Sequence, residues 1–223
     1  MIAVNLIDQR PQDESEEFAN TISHGIGLVF AIAALPILVA AAMRHGNLWN
    51  VVAVSVFAQT MILVYLVSTL YHALPEGRTK RLLNRVDHAA IYLFIAGTYT
   101  AFSLGMLHGP GGWLSFGGVW ALAAAGVAVK LLDRLKHPLW STGLYVAMGW
   151  IALFAMAPIL RHMHGVGLWL LFAGGGAYTL GALVFLFDST LRYCHFVWHL
   201  LTLAGSGCHF CAALWHSTGG LAG

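Results

Sequence analysis

His195 and His199 stand four apart in His195-Phe196-Val197-Trp198-His199. On a helix that spacing projects both imidazoles from one face about one turn apart, which suits two ligands on one metal. His72 closes the run Ser68-Thr69-Leu70-Tyr71-His72, again four apart, so the Ser68 hydroxyl shares a stripe with His72. Asp87 opens the next apolar segment. Three neutral imidazoles leave one position of a tetrahedral ion open, as in a catalytic rather than a structural zinc site. A carboxylate nearby would accept a hydrogen bond from the metal's water or act as its general base. A lone histidine near a membrane interface reads more simply as a snorkelling or helix-end residue, and Asp87 alone as a charge favoured at a helix N-terminus. It is the coincidence of all these groups at one depth that reads as a site.

That coincidence depends on the elements that carry them. The 223 residues are 59% hydrophobic and only 9% charged, with mean hydropathy +0.75, which excludes a soluble domain of ordinary surface. At about 20 apolar residues per span, seven transmembrane helices are expected, at roughly 22–43, 48–73, 86–106, 113–132, 139–159, 166–187 and 194–216. Nine of the eleven Lys and Arg then fall on one side: Arg10, Arg78, Lys80, Arg81, Arg85, Lys130, Arg134, Lys136 and Arg192, leaving Arg44 and Arg161 on the other. The positive-inside rule therefore predicts a cytoplasmic N-terminus and an external C-terminus. Span two ends inside and spans three and seven begin there, so Ser68, His72, Asp87, His195 and His199 all belong near the cytoplasmic leaflet. At 1.5 Å per residue, His199 lies on the order of 5 to 8 Å below the start of its helix.

The expected organisation is a polar acidic N-terminal tail (1–15), one seven-helix domain (16–217) and a short C-terminal tail (218–223). The first twenty residues lack a basic start followed by an apolar run, so no cleavable signal peptide is expected. The net charge of +2 is accounted for by topology, and no nucleic-acid motif appears. Cys194, Cys208 and Cys211 all lie in the last span and read as small packing residues; Cys208 and Cys211 have the spacing of half a zinc knuckle without the other half. The glycines of 174–176, Gly181, Gly117 and Gly118 offer flat surfaces for helix approach, and Pro36 and Pro158 are candidate kinks.

The remaining histidines are weaker candidates. His209 is ten residues beyond His199, roughly 15 Å along a helix, too far to share its metal; an interhelical hydrogen bond is the expected role. His88 points about 100° away from Asp87 and is not expected among the ligands. Ser23 and His24 could stand behind the site, with Glu17 and Asn20 capping the first span; capping is the simpler reading. His45, His108, His162, His164 and His216 belong at the external side.

The segments Glu17-Phe18-Ala19-Asn20-Thr21-Ile22-Ser23-His24-Gly25, Ser68 to His72, Val86-Asp87-His88, and His195 to His199 with Leu203 to Phe210 resemble the bacterial hemolysin III proteins, of the progestin and adiponectin receptor family. The likeness runs from near residue 16 to near residue 212; each motif is short, but four in order on seven spans are specific. The resemblance implies a seven-helix protein of the bacterial cytoplasmic membrane. It also implies one zinc ion near the cytoplasmic face on His72, His195 and His199, with Asp87 at the metal's water and Ser68 assisting by hydrogen bonding. The wider superfamily is similar to alkaline ceramidases, so hydrolysis of a lipid amide or ester becomes an expectation, although kinship of fold does not establish activity. Membrane lipid is the expected partner. The alternative is a lipid or membrane-state sensor in which zinc staples helices two and seven. A secreted cytolytic pore fits poorly with seven strongly apolar spans.

Overall fold

The computed structural model describes residues 10–107, 109–132, 134, 138–151, 163 and 165–219. These residues form helices and connections, with no strand among them: α1 (Glu14–His45), α2 (Leu48–Ala73), α3 (Arg78–Phe102) with a π-helical continuation (Ser103–Leu107), α4 (Gly109–Leu131), α5 (Pro138–Trp150), α6 (Gly165–Phe185) and α7 (Cys194–His216). All but α5 are long and apolar enough to cross a membrane, counting α3 with its continuation. Among the described residues there are thus six such helices where composition predicts seven. The expected fifth span, 139–159, is described only through residue 151; the remainder, with Pro158, Arg161, His162 and His164, lies outside the described residues. So do His108, Lys136 and most of the N-terminal tail.

Two helices start earlier than hydropathy suggests, α1 at Glu14 rather than near 22 and α3 at Arg78 rather than near 86. The first turns of each are polar, and an apolar window cannot see them. For α1 the start is fixed chemically. Asp13 accepts from the backbone N–H groups of Ser15 and Glu16, and Glu16 reaches back to the Asp13 N–H, a capping box. Asp13 therefore holds the cap, in place of the expected Glu17 and Asn20.

The pairs α1–α2, α2–α3, α3–α4 and α6–α7 pack antiparallel, and close contact rests on small residues, as expected where lipid leaves no hydrophobic drive between helices. α3 is the most buried helix of the bundle. Its Gly97 faces Thr60 of α2, and Tyr92 covers Gly126 of α4. Along the α6–α7 seam, Gly181 meets Trp198, Gly205 meets the Tyr178 ring and Gly174 meets His209. α1 runs parallel to α7, with Phe30 edge-on to Phe210 at 5.3 Å.

At the end of the bundle away from the expected site, Asn50 donates to the carbonyls of Gly105 (2.6 Å) and Ser217 (3.0 Å). It satisfies the irregular backbone after α3 and the end of α7 together, as a low-dielectric setting requires. Trp49, Trp113, Trp169 and Trp215 are exposed toward that same end, consistent with an interfacial aromatic belt.

Candidate metal centre

α2 ends, and α1, α3 and α7 begin, at one end of the bundle, and this places His72, His195 and His199 together. Their candidate ligand atoms lie within 4.8 Å of one another and all three residues are buried. The rings form a nearly regular triangle, with centroid separations of 4.8 Å (His72–His195), 5.0 Å (His72–His199) and 4.7 Å (His195–His199).

The hydrogen bonds behind the rings decide which nitrogen is free. His72 Nδ1 donates to Glu17 Oε2 at 2.6 Å, and His195 Nδ1 donates to Asp188 Oδ2 at 3.0 Å. The Ser23 hydroxyl directs its single proton to the Asn20 carbonyl (2.9 Å), so it accepts from His199 Nδ1 (3.0 Å). Each imidazole is thereby the Nδ1–H tautomer with a bare Nε2 lone pair. All three Nε2 atoms are buried and have no hydrogen-bond partner. A buried acceptor left unpaired is costly, and three facing one another are the donor set of a transition ion; the outer carboxylates and hydroxyl orient the rings as they do around metal-bound histidine. The residues present therefore fit a transition-metal ion.

The outer groups are themselves held. Glu17 also pairs with Lys80 at 2.8 Å, and Lys80, one of the charges that set the expected cytoplasmic side, is buried with a second bond to the Leu74 carbonyl (3.0 Å). Gln12 donates to both Asp188 oxygens (3.3 and 3.2 Å) and accepts from Asn20 (2.7 Å). The segment before α1 is tied to the start of α7. Arg192 pairs with Asp13, and Glu16, paired with Arg10 at 2.6 Å, accepts from the Tyr193 N–H at 2.8 Å. Tyr193 has φ of 60°, a left-handed conformation uncommon for a non-glycine residue, which this bond holds in place. The Glu16 carboxylate holds Arg10 above its usual pKa, chiefly through that hydrogen bond.

Ser68 and Asp87 are buried beside the triangle. His24 Nδ1 bonds the Ser68 hydroxyl at 2.7 Å, and Ser68 is a hydrogen-bonding neighbour of Asp87. The His24 ring lies on His199, centroids 3.4 Å apart, and its own Nε2 is also buried without a partner. His24, Ser68, Asp87 and His88 line one end of a cavity of about 200 Å³, whose other walls include Ile91, Phe94, Ile95, Phe102, Leu171 and Phe172. The lining is mostly apolar, with polar groups such as Ser103, Thr142, Tyr178 and His209 along it as well as at this end, a pattern that suits an amphipathic molecule.

Of the other sequence candidates, His88 is not one of the clustered ligands, and His209 makes an interhelical bond, Nε2 to the Leu171 carbonyl at 3.1 Å. The three cysteines are unpaired thiols. Sequence reasoning misses Asp188 entirely and gives Glu17 the wrong task. The available signal is that each is an acidic residue next to a strongly apolar segment, but nothing in the spacing joins Glu17 to His72.

Residues 12–210 match the family model described as haemolysin-III related. The chain is 42% identical over 201 residues to "Hemolysin-3" of Bacillus cereus, covering 90% of this chain and 91% of the relative. It is 39% identical over 201 residues to "Hemolysin-3 homolog" of Bacillus subtilis (strain 168), covering 90% and 94%. No solved structure matches.

Proposed function

The chain belongs to the haemolysin-III family of multi-pass membrane proteins, and from that premise we propose that it is a zinc-dependent hydrolase of lipid amide or ester bonds. In this reading it has seven spans, lies in the bacterial cytoplasmic membrane with its N-terminus inside, and works at the cytoplasmic leaflet. The observation that carries the reading is the convergence of three bare, buried Nε2 atoms next to Ser68 and Asp87, two residues that line a largely apolar cavity.

His72, His195 and His199 would hold the ion, which when bound would supply Lewis acidity and acidify a water. Asp87 takes the proton released as the carbonyl is attacked and returns it to the leaving group. Ser68, bonded by His24 and hydrogen-bonded to Asp87, would orient that carboxylate for the proton transfer. The apolar wall seats the acyl chain and excludes bulk water.

Metal content by elemental mass spectrometry tests the centre on detergent-purified protein. About one zinc per chain is expected in the wild type and none in the His72→Ala, His195→Ala, His199→Ala variant. Release of fatty acid from an N-acyl lipid, lost in Asp87→Ala with zinc retained, tests the chemistry. Zinc bound with no turnover of any lipid tried favours the second reading, a zinc staple in a membrane-state sensor. That reading draws on the ligands joining α2 to α7, two helices that both pack against α1.

A further inference from the structure

Resting on that reading of the cavity, we propose that His88 is a specificity residue, an acceptor that recognises a hydroxyl group on the head of the lipid next to its scissile carbonyl. His88 Nδ1 lies 2.7 Å from the Asn84 carbonyl. A carbonyl only accepts, so Nδ1 carries the proton and Nε2 is a bare lone pair. Unlike the Nε2 atoms of the metal triangle, that of His88 is not among the atoms sealed from contact, and it makes no hydrogen bond to another described residue. The ring forms part of the cavity wall at the end where Ser68 and Asp87 stand.

The position is built rather than incidental. The Tyr145 hydroxyl donates to the His88 carbonyl at 3.0 Å, and the ring meets Phe185 edge-on with centroids 6.5 Å apart, so both backbone and ring have a partner. A rigid, partly open acceptor on the wall of a largely apolar chamber favours a ligand donor there. A hydroxyl satisfies that acceptor; a methyl of the same size leaves it desolvated and unpaired. The neighbouring carboxyl, Asp87, is occupied by the hydrolytic role proposed above, which leaves His88 to read the head group.

The test compares two amides of equal size, N-dodecanoylethanolamine and N-dodecanoylpropylamine, which differ by a terminal hydroxyl in place of a methyl. Stabilisation of the zinc-loaded, detergent-purified protein against thermal unfolding reports binding of each. The hydroxylated amide is expected to act at about tenfold lower concentration on the wild type. In His88→Phe both should act at the concentration of the propylamide, and His88→Gln, which restores an acceptor, should regain part of the preference. Binding of both amides with no preference in the wild type, or a preference that persists in His88→Phe, overturns the role of His88 and leaves the hydrolase reading standing. Binding of neither overturns the lipid cavity itself, and this inference with it. The wild-type comparison decides the matter alone if His88→Phe does not fold.

Discussion

Asp188 accepts a hydrogen bond from His195 Nδ1 at 3.0 Å, seven residues away across the turn that leads from α6 into α7. The bond fixes the tautomer and the ring angle, and so aims the His195 Nε2 at His72 and His199. Asp188→Ala should therefore weaken zinc binding by about 10- to 100-fold with the fold intact, as removal of outer partners of metal-bound histidine does. Competition against a chelator of known affinity measures this. Unchanged affinity would remove Asp188 from the centre.

The cap on α1 predicts a pH dependence. Hydrogen bonds from the Ser15 hydroxyl and the Glu16 N–H, with the nearby Arg192 charge, hold Asp13 below the usual carboxylate pKa. A depressed folded-state pKa contributes stability above the unfolded value, about 3.9, which is lost as pH falls through the folded value. Unfolding midpoints should thus drop below about pH 4, and less steeply in Asp13→Asn. Parallel profiles for the two proteins would contradict this.

Gly174 makes room for an imidazole. A Cβ there would overlap the His209 ring, the same ring that bonds the Leu171 carbonyl. Gly174→Ala should destabilise the protein by about 1 to 3 kcal/mol through overpacking. Adding His209→Ala should restore part of that loss, a coupling that a double-mutant cycle of thermal unfolding in detergent would reveal. Strict additivity is the contrary outcome.

Asn50 acts at the opposite end. Asn50→Ala leaves the Gly105 and Ser217 carbonyls without this donor and should cost about 1 to 3 kcal/mol. Zinc content should not change, because no metal-site helix end lies there. Loss of zinc in a folded Asn50→Ala protein would show that the two ends are coupled.

Much of the centre is legible in the one-dimensional pattern. His72, His195 and His199 are fixed to helix ends by apolar runs, and spacing of four residues puts pairs on one stripe whatever surrounds them. Six of the seven expected span locations coincide with long apolar helices among the described residues, because lipid admits few alternatives to a continuous apolar helix. The polar first turns of α1 and α3 escape such a reading, since their helicity depends on capping and on burial against neighbours rather than on hydropathy.

What the tertiary structure alone decides is the orientation of the bare ring nitrogens of the histidine triangle. Glu17 reaches His72, Ser23 reaches His199 and His24 lies on His199 only because α1 packs between α2 and α7. Local spacing determines which side chains share a helix face. Hydrogen bonds between helices are set by packing distances of a few ångströms, and those depend on every small residue along the seams, so no one-dimensional pattern encodes them.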